Sequence, residues 1–249
     1  MDLGETLVHL DRPWDEVFNE DLQALYRYLS TLGLKFDYNE FGKRFIKIFD
    51  DASANADVFK VEIPMQEIIS KVMKKSGLQF LGIDLPTSAM IEFYRPEVDC
   101  WKAFPDTIET LTKLKNEGFE LGLVSNSKSD WLIRSILQHE NLERFFETIV
   151  TSASVRIRKP RAEIFTEALN SLKVKAAESV FVGDSIQADV SGAKYVGMRS
   201  IHVLRKPVTV DHPSTPDATV TSLSEVPMLL SSWNNGGGGS TCGGPEASS

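Results

Sequence analysis

The chain has 249 residues, of which 42% are hydrophobic and 25% charged, and this composition is that of an ordinary globular protein. No apolar run approaches the ~20 residues of a membrane-spanning helix, and the net charge of −8 argues against a nucleic-acid surface, which would be basic. Cys100 and Cys242 do not make a disulfide framework, and Met1 is followed by Asp2 rather than by a secretory signal. We therefore expect a cytoplasmic protein without a membrane or nucleic-acid partner.

The first seven residues place an acid, Asp2, before the turn-type residues Gly4 and Thr6. Taken alone, this segment is typical of an N-terminal cap or a frayed end. Residues 11–94 then show hydrophobic positions at helical spacing, with loop signals at 51–57 and 84–87. We expect these residues to form a helical domain with its own small core.

Lys43 and Arg44 belong to a cluster of cations on the second of these helices. Such a cluster is most often a solvated helix face. The alternative is a set of cations that grips an anionic substrate from above.

From residue 95 onward, short apolar runs alternate with helical patterns. The expected strands cover 119–124, 149–150, 180–182, 199–203 and 218–220. Strict alternation of this kind predicts a parallel sheet with right-handed crossovers, that is, a Rossmann-like three-layer α/β core with an inserted helical cap. Residues 1–10 with 95–232 would form the core and 11–94 the cap, with Arg95-Pro96 as the second hinge between them.

Two further local signals lie in this part of the chain. Asp106 and Glu109 have the spacing of a capping box at the start of a helix. Residues 233–249 are rich in Gly, Ser and Asn and cannot bury apolar surface, so we expect a flexible tail there.

The stretch 179–193 organises the rest of the chain. Its buried strand, 180–182, is followed at once by Gly183 and Asp184, and Asp189 comes five residues later. The two carboxylates therefore lie at the carboxyl edge of a parallel sheet, where ligands bind in open α/β folds. Asp189 could cap a helix, or the pair could hold a hard cation such as Mg²⁺, which prefers oxygen ligands.

The ends of other expected elements supply further candidate site residues. Ser125 and Asn126 follow the strand at 119–124, and Lys159 precedes a helix on the same side of the sheet. Ser125 alone is most often a helix cap and Lys159 alone a surface lysine. Together with Asp2 and the acidic pair, they are the parts that phosphoryl transfer needs, because a metal and a lysine neutralise the phosphate while a carboxylate attacks it.

In these motifs the chain resembles the haloacid dehalogenase (HAD) superfamily of hydrolases, in the subfamily with a helical cap inserted after the first motif. The resemblance covers roughly residues 1–230. The matching segments are Asp2-Leu3-Gly4-Glu5-Thr6-Leu7, Leu123-Val124-Ser125-Asn126, Lys159-Pro160, and Gly183-Asp184 with Asp189.

The resemblance implies an aspartyl-phosphate mechanism on a small phosphorylated substrate. Asp2 would be the nucleophile, Ser125 would bind the phosphoryl group with Asn126 beside it, and Lys159 would orient and screen that group. The implied cofactor is Mg²⁺. Its predicted ligands are Asp2, the backbone carbonyl of Gly4, and Asp184, with Asp189 supporting the loop. Lys43 and Arg44 are the candidate substrate contacts from the cap.

One departure concerns proton transfer. Phosphatases of the family carry a second Asp two positions after the nucleophile, and here that position is Gly4. Loss of a general acid costs typically ~10²–10⁴-fold in rate, and Glu5 points differently in a turn. The alternatives are therefore a binding protein that keeps the fold, a dehalogenase, whose fourth motif would lack Gly183-Asp184, and a phosphonatase-like enzyme, which would need a Schiff-base lysine such as Lys43 or Lys47.

A second departure concerns the central strand, which the nucleophile should end. Only Met1 precedes Asp2, whereas a strand usually has ~5–6 residues. Three lost aliphatic side chains remove roughly 5–9 kcal/mol of burial, so we expect that the sequence is truncated at its N-terminus.

Overall fold

The computed structural model describes residues 1–78, 85–205 and 213–235. Short strands alternate with helices in the second half of the chain, and four long helices fill most of the first half. The strands are β1 Val8–Leu10, β2 Trp101–Ala103, β3 Gly122–Ser125, β4 Thr148–Thr151, β5 Val180–Gly183, β6 Arg199–Val203 and β7 Ala218–Val220. The helices are α1 Trp14–Thr31, α2 Tyr38–Phe59, α3 Met65–Lys75, α4 Leu85–Val98, α5 Thr107–Asn116, α6 Asp130–His139, α7 Ser152–Val155, α8 Ala162–Leu172, α9 Ser191–Tyr195 and α10 Val226–Asn235.

Two parallel ladders form the main sheet. β3 pairs with β4, and β6 lies between β5 and β7. One face packs against α8 and α9 through Phe165, Phe181 and their neighbours. The opposite face packs against α5, α6 and α10. The predicted three-layer parallel α/β fold is confirmed.

Met1 and Asp2 join the two ladders. The Val124 amide donates to the Met1 carbonyl at 2.9 Å, and the Asp2 amide donates to the Val182 carbonyl at 2.9 Å. The Met1 ammonium group donates to the Gly122 carbonyl at 2.6 Å. The central strand between β3 and β5 is thus represented by two residues, and Asp2 stands at its carboxyl end.

An apolar cavity of about 370 Å³ continues from Met1 between β3 and β5. Its walls include Gly122, Phe165, Val180 and Val182. Burial at this place lowers the pKa of the Met1 ammonium group to about 5, because the charged form loses its water. The cavity lies where a longer central strand would place its side chains.

A tight turn connects Asp2 to β1. The Leu7 amide donates to the Leu3 carbonyl at 2.8 Å, and Glu5 takes a left-handed φ of 54°. β1 then pairs antiparallel with β2, so that Val8 faces Ala103. This hairpin leads into and out of the four-helix group α1–α4, which shares one continuous hydrophobic core with the sheet. A separate cap domain at 11–94 stays a prediction.

Helix bounds differ from the predicted ones in two places. The expected loop at 51–57 is wrong, because α2 continues to Phe59 and buries Ala52 and Ala56 on one face; alanine has the highest helix propensity. The predicted hinge at Arg95-Pro96 lies inside α4, which ends only at Val98. The expected loop at 84–87 begins outside the described residues, and α4 starts at its second position, Leu85.

The structure also differs from the expectations for the Asp106 cap and for the C-terminal tail. Asp106 precedes α5 but makes no side-chain cap; its carboxylate instead accepts hydrogen bonds from Arg205, from the Ser222 hydroxyl and from the Leu223 amide. The flexible tail was expected to begin at residue 233, but α10 continues to Asn235. The Arg199 guanidinium lies 5.1 Å from the centre of the Trp233 ring. Residues from 236 onward lie outside the described part. Among the described helices, none is both long and apolar enough to cross a bilayer.

Candidate active site

A cavity of about 450 Å³ opens where β3, β5 and the Met1–Asp2 segment end, and it faces α1, α2 and α4. Most of the sequence-predicted site residues meet here, although they come from four separate segments. Those that line the cavity are Asp2, Gly4, Ser125, Asn126, Lys159, Asp184 and Asp189.

Lys159 connects two of the carboxylates. Its Nζ lies 2.5 Å from Oδ1 of Asp2 and 2.7 Å from Oδ1 of Asp189, and it donates to the Val124 carbonyl at 2.9 Å. Burial alone would lower the pKa of Lys159, but the Asp189 and Asp2 carboxylates outweigh it and raise that pKa above its ordinary value. The lysine is therefore a fixed positive charge beside Asp2.

Asp2, Asp184 and Asp189 form an acidic cluster in which Asp2 and Asp189 are buried and Asp184 is half-buried. Each offers a carboxylate oxygen, and these oxygens all lie within 4.8 Å of one another. Burial, followed by the Asp2 and Asp189 charges, raises the pKa of Asp184 to about 7. One lysine cannot neutralise three carboxylates, so a further bound cation would stabilise the cluster.

The donor set fits Mg²⁺. Carboxylate and carbonyl oxygens are the ligands that this hard ion takes, and one or two carboxylates usually suffice. Asp2 and Asp184 would hold the ion, with Gly4 beside them. The Asp189 carboxylate is engaged by Lys159 and by the Ser185 amide, which donates to Oδ2 at 3.0 Å.

Gly183 explains how Asp189 reaches this position. A Cβ added to Gly183 would lie 2.4 Å from Oδ2 of Asp189, closer than any real contact. Only glycine allows the carboxylate to fold back over the end of β5. The pattern Gly-Asp with a second Asp five residues on is thus a packing requirement as well as a chemical one.

Ser125 and Asn126 lie at the end of β3. Ser125 is buried and lines the cavity. The Asn126 side chain exchanges two hydrogen bonds with the backbone of Lys159, since its Oδ1 accepts from the amide at 2.8 Å and its Nδ2 donates to the carbonyl at 3.2 Å. Asn126 therefore fixes the loop that carries Lys159.

Lys43 and Arg44 are not brought to the site. Lys43 is 77% exposed and lies 3.8 Å from Glu40 on the same helix. Arg44 Nη1 donates to the Lys75 carbonyl at 2.8 Å and to the Ser76 hydroxyl at 3.0 Å, at the end of α3. Neither residue lines the cavity.

Two other cations do line it. Lys128 and Arg158 both contact the carboxylate of Glu62, at 3.2 and 2.5 Å, and Glu62 comes from the segment between α2 and α3. Burial would raise the pKa of Glu62, but the Arg158 and Lys128 charges lower it below its ordinary value. The sequence pattern did not predict this group. Its only local signal is that Lys128 and Arg158 stand next to the motifs of Ser125-Asn126 and Lys159.

The space beside Gly4 is filled by an indole ring. Cη2 and Cζ3 of Trp101 lie 3.6 and 3.7 Å from a Cβ built on Gly4. The Trp101 Nε1 donates to Oε1 of Glu97 at 3.0 Å. Both Trp101 and Glu97 line the cavity, and neither was predicted as a site residue.

Comparison with known proteins assigns the family. Residues 46–203 match the model of the haloacid dehalogenase-like hydrolases. The glyceraldehyde 3-phosphate phosphatase of Methanocaldococcus jannaschii is 28% identical over 200 residues, which are 78% of this chain and 81% of that protein. The phosphoserine phosphatase of Thermus thermophilus is 27% identical over 215 residues, 86% of this chain and 76% of that one.

A solved structure supports the fold. The 2-haloacid dehalogenase of Pseudomonas syringae superposes with a TM-score of 0.66 at 22% identity, over 93% of this chain and 96% of its own. Identity at this level shows the shared fold alone. The match to the family model, with the two phosphatase relatives, shows that the chain belongs to the haloacid dehalogenase-like hydrolases and is an enzyme of that family.

Proposed function

We propose that the protein is a Mg²⁺-dependent phosphatase that acts on a small phosphorylated metabolite through an aspartyl-phosphate on Asp2. One observation carries this proposal: Asp2 ends the central strand in contact with the buried Lys159, inside a cluster of three carboxylates that this one lysine neutralises only in part. A carboxylate held against a fixed ammonium group is suited to attack an anionic phosphate.

In the first step, a carboxylate oxygen of Asp2 attacks phosphorus and the bond from phosphorus to the alcohol oxygen breaks. Lys159 offsets the negative charge of the incoming phosphoryl group. The hydroxyl of Ser125, at the adjacent strand end, donates a hydrogen bond to a phosphoryl oxygen. The leaving oxygen needs a proton unless its conjugate acid is already strong.

In the second step, water attacks the phosphorus of the aspartyl-phosphate and frees Asp2. Lys159 stays in place as the charge that stabilises the oxygens of the transition state. When bound, Mg²⁺ would supply Lewis-acid neutralisation of the same oxygens. Asn126 contributes by holding the Lys159 loop through its two backbone hydrogen bonds.

The size of the cavity supports a small substrate. A volume of about 450 Å³ suits a small molecule, and the two relatives named above are phosphatases of small phosphorylated compounds. Lys128 and Arg158 supply two cationic side chains on the cavity wall, where they pair with Glu62 and, for Arg158, also with Asp57. We include the helices of residues 11–94 in the proposal as the cap that selects the substrate.

A second candidate is a binding protein that keeps the site without turnover. Gly4 favours it, because the usual acid is absent at that position and Trp101 occupies the space. An aryl phosphate distinguishes the two candidates, since its leaving group departs without a proton.

The test is release of phosphate from an aryl phosphate with Mg²⁺ and with a chelator, in the wild type and in Asp2→Asn. Asp11→Asn is the matched control, because Asp11 is an exposed carboxylate in the nearby loop. We expect Mg²⁺-dependent turnover in the wild type and in Asp11→Asn, and none in Asp2→Asn. A folded wild type without turnover would contradict the phosphatase and favour the binding protein.

A further inference from the structure

A pair of buried carboxyl groups lies beside the site and has no part in the steps described above. Asp21 comes from α1 and Glu97 from α4; their residues are 0% and 2% exposed. The two carboxyl groups interact electrostatically, and burial together with the charge of Glu97 raises the pKa of Asp21. Within the described residues, neither has a cationic partner, and both carboxylate oxygens of Asp21 and Oε2 of Glu97 have no hydrogen-bond donor.

Glu97 belongs to the wall of the same cavity as Asp2. Its Oε1 accepts from Nε1 of Trp101 at 3.0 Å, and the far edge of the same indole lies against Gly4. One aromatic side chain therefore separates Glu97 from the position where the family acid would stand. Trp14 and Tyr94, from α1 and α4, line the same cavity.

Two carboxyl groups in contact without a cation cannot both be ionised in an apolar environment, because neither desolvation nor mutual repulsion is compensated. The pair must keep a proton. Burial, followed by the charge of Glu97, raises the pKa of Asp21 to about 9, and burial raises the pKa of Glu97 to about 7. Near neutral pH, Glu97 therefore both gives and takes a proton, as a general acid–base requires.

We propose that Glu97, supported by Asp21, replaces the missing acid at position 4 and protonates the leaving oxygen of the substrate. This inference rests on the proposed phosphatase function. As the bond from phosphorus to the leaving oxygen breaks, the proton of Glu97 passes to that oxygen, directly or through one water. In the second step, the Glu97 carboxylate takes a proton from the attacking water and is neutral again.

Other proton carriers on the cavity wall serve less well. Tyr94 is buried, and burial followed by the Glu97 and Asp21 charges raises its pKa well above the ordinary value, so it holds its proton too tightly. Glu5 lines the wall from a left-handed turn and is only partly buried. Glu97 lies outside the acidic cluster of Asp2, Asp184 and Asp189, and it combines a retained proton with a place on the wall and an unpartnered oxygen.

The experiment compares two substrates in Glu97→Gln. One is an alkyl phosphate, whose alkoxide leaves only when protonated, and the other is an aryl phosphate with a weakly basic leaving group. We expect kcat/KM to fall by ~10²–10⁴-fold for the alkyl phosphate and to change by less than about threefold for the aryl phosphate. Glu92→Gln is the matched control, since Glu92 lies on the same helix and pairs with Arg95 at the surface.

The outcomes separate this inference from the function on which it rests. If the wild type cleaves neither substrate, the phosphatase proposal fails. A second outcome is that the wild type cleaves both substrates while Glu97→Gln loses activity equally on both or keeps its activity on both. In either case Glu97 has a structural role or none, and the inference is wrong.

A measurement on the unmodified protein gives an independent test. The ratio of kcat/KM for the alkyl substrate to that for the aryl substrate should fall as pH rises through about 7, because only the alkyl reaction needs protonated Glu97. Other ionisations act on both substrates and cancel in the ratio. A ratio that stays constant from pH 5 to pH 9 would overturn the inference even if the variant failed to fold.

Discussion

The indole ring of Trp101 lies 3.6 Å from the point at which a side chain on Gly4 would begin. This is ordinary van der Waals contact, so a methyl group fits, whereas a carboxylate must displace the edge of the ring. Gly4 does not require a left-handed backbone, because its φ is outside that region. Trp101 therefore takes the space that an acidic side chain at position 4 would need.

This contact predicts a rescue. Gly4→Asp, introduced into Glu97→Gln, should restore hydrolysis of an alkyl phosphate by at least ~10-fold, because a positioned general acid contributes ~10²–10⁴-fold. Gly4→Ala in the same background is the control and should restore nothing. The measurement is kcat/KM at pH 6. Equal rates in the two double variants would contradict the prediction.

Removing a metal ligand should change stability as well as activity. Asp184→Asn relieves repulsion within the cluster of Asp2, Asp184 and Asp189, so in chelator its Tm should equal or exceed that of the wild type. Mg²⁺ should raise the Tm of the wild type, because a ligand that binds only the folded state stabilises it, and should not raise that of the variant. Thermal melts with Mg²⁺ and with chelator measure both effects. Glu163→Gln, at an exposed site, should behave as the wild type, and an equal Mg²⁺ shift in Asp184→Asn would place the ion elsewhere.

Lys159 is expected to be essential for stability without metal. Lys159→Met leaves the Asp2 and Asp189 carboxylates buried without their cation, and breaking a buried pair in this way costs about 3–5 kcal/mol. Urea unfolding in chelator measures this loss, and Mg²⁺ should recover part of it. Lys175→Met, where the lysine is 82% exposed, should change the free energy of unfolding by less than about 0.5 kcal/mol. An equal, small effect in both variants would refute the electrostatic account.

The cavity beside Met1 predicts a large gain from an added strand. About five apolar residues placed before Met1 would continue the ladder between β3 and β5 and fill the 370 Å³ space. Three buried aliphatic side chains contribute roughly 5–9 kcal/mol, so the Tm should rise by more than ~10 °C. A Gly/Ser extension of the same length is the control. An unchanged Tm with the apolar extension would show that the cavity does not accept a strand.

The Asp21–Glu97 pair should make stability depend on pH. Both pKa values are raised in the folded state, so the stabilisation is complete below the ordinary range of carboxyl groups and is lost as pH rises toward about 7 to 9. Asp21→Asn should therefore match the wild type in Tm at pH 4 and exceed it at pH 8. Melts followed by circular dichroism across this range test the sign. Curves that remain parallel would show that the pair does not retain its proton.

The residues of the catalytic proposal were accessible from the sequence. Asp2, Ser125, Lys159 and Asp184 each stand directly beside a short apolar run or a helix start, and parallel strands bring their carboxyl ends to one edge by topology alone. The fold class followed from the same alternation. The helix bounds were harder to predict from the sequence. The loop signal at 51–57 came from Asp and Asn residues that α2 exposes to solvent, while Ala52 and Ala56 pack inward.

The contacts between distant segments depend on the tertiary fold. Lys43 and Arg44 looked like substrate cations because the sequence shows which helix carries them, but not which face of α2 turns away from the cavity. Glu62 joins Lys128 and Arg158, and Asp21 joins Glu97, across 66 to 96 residues of chain. Local periodicity carries no information on such pairs, because their energy depends on which buried charges the packing of α1–α4 against the sheet brings together. The residues at the strand ends could be predicted from local sequence patterns, whereas the partners of their protons and charges depend on packing.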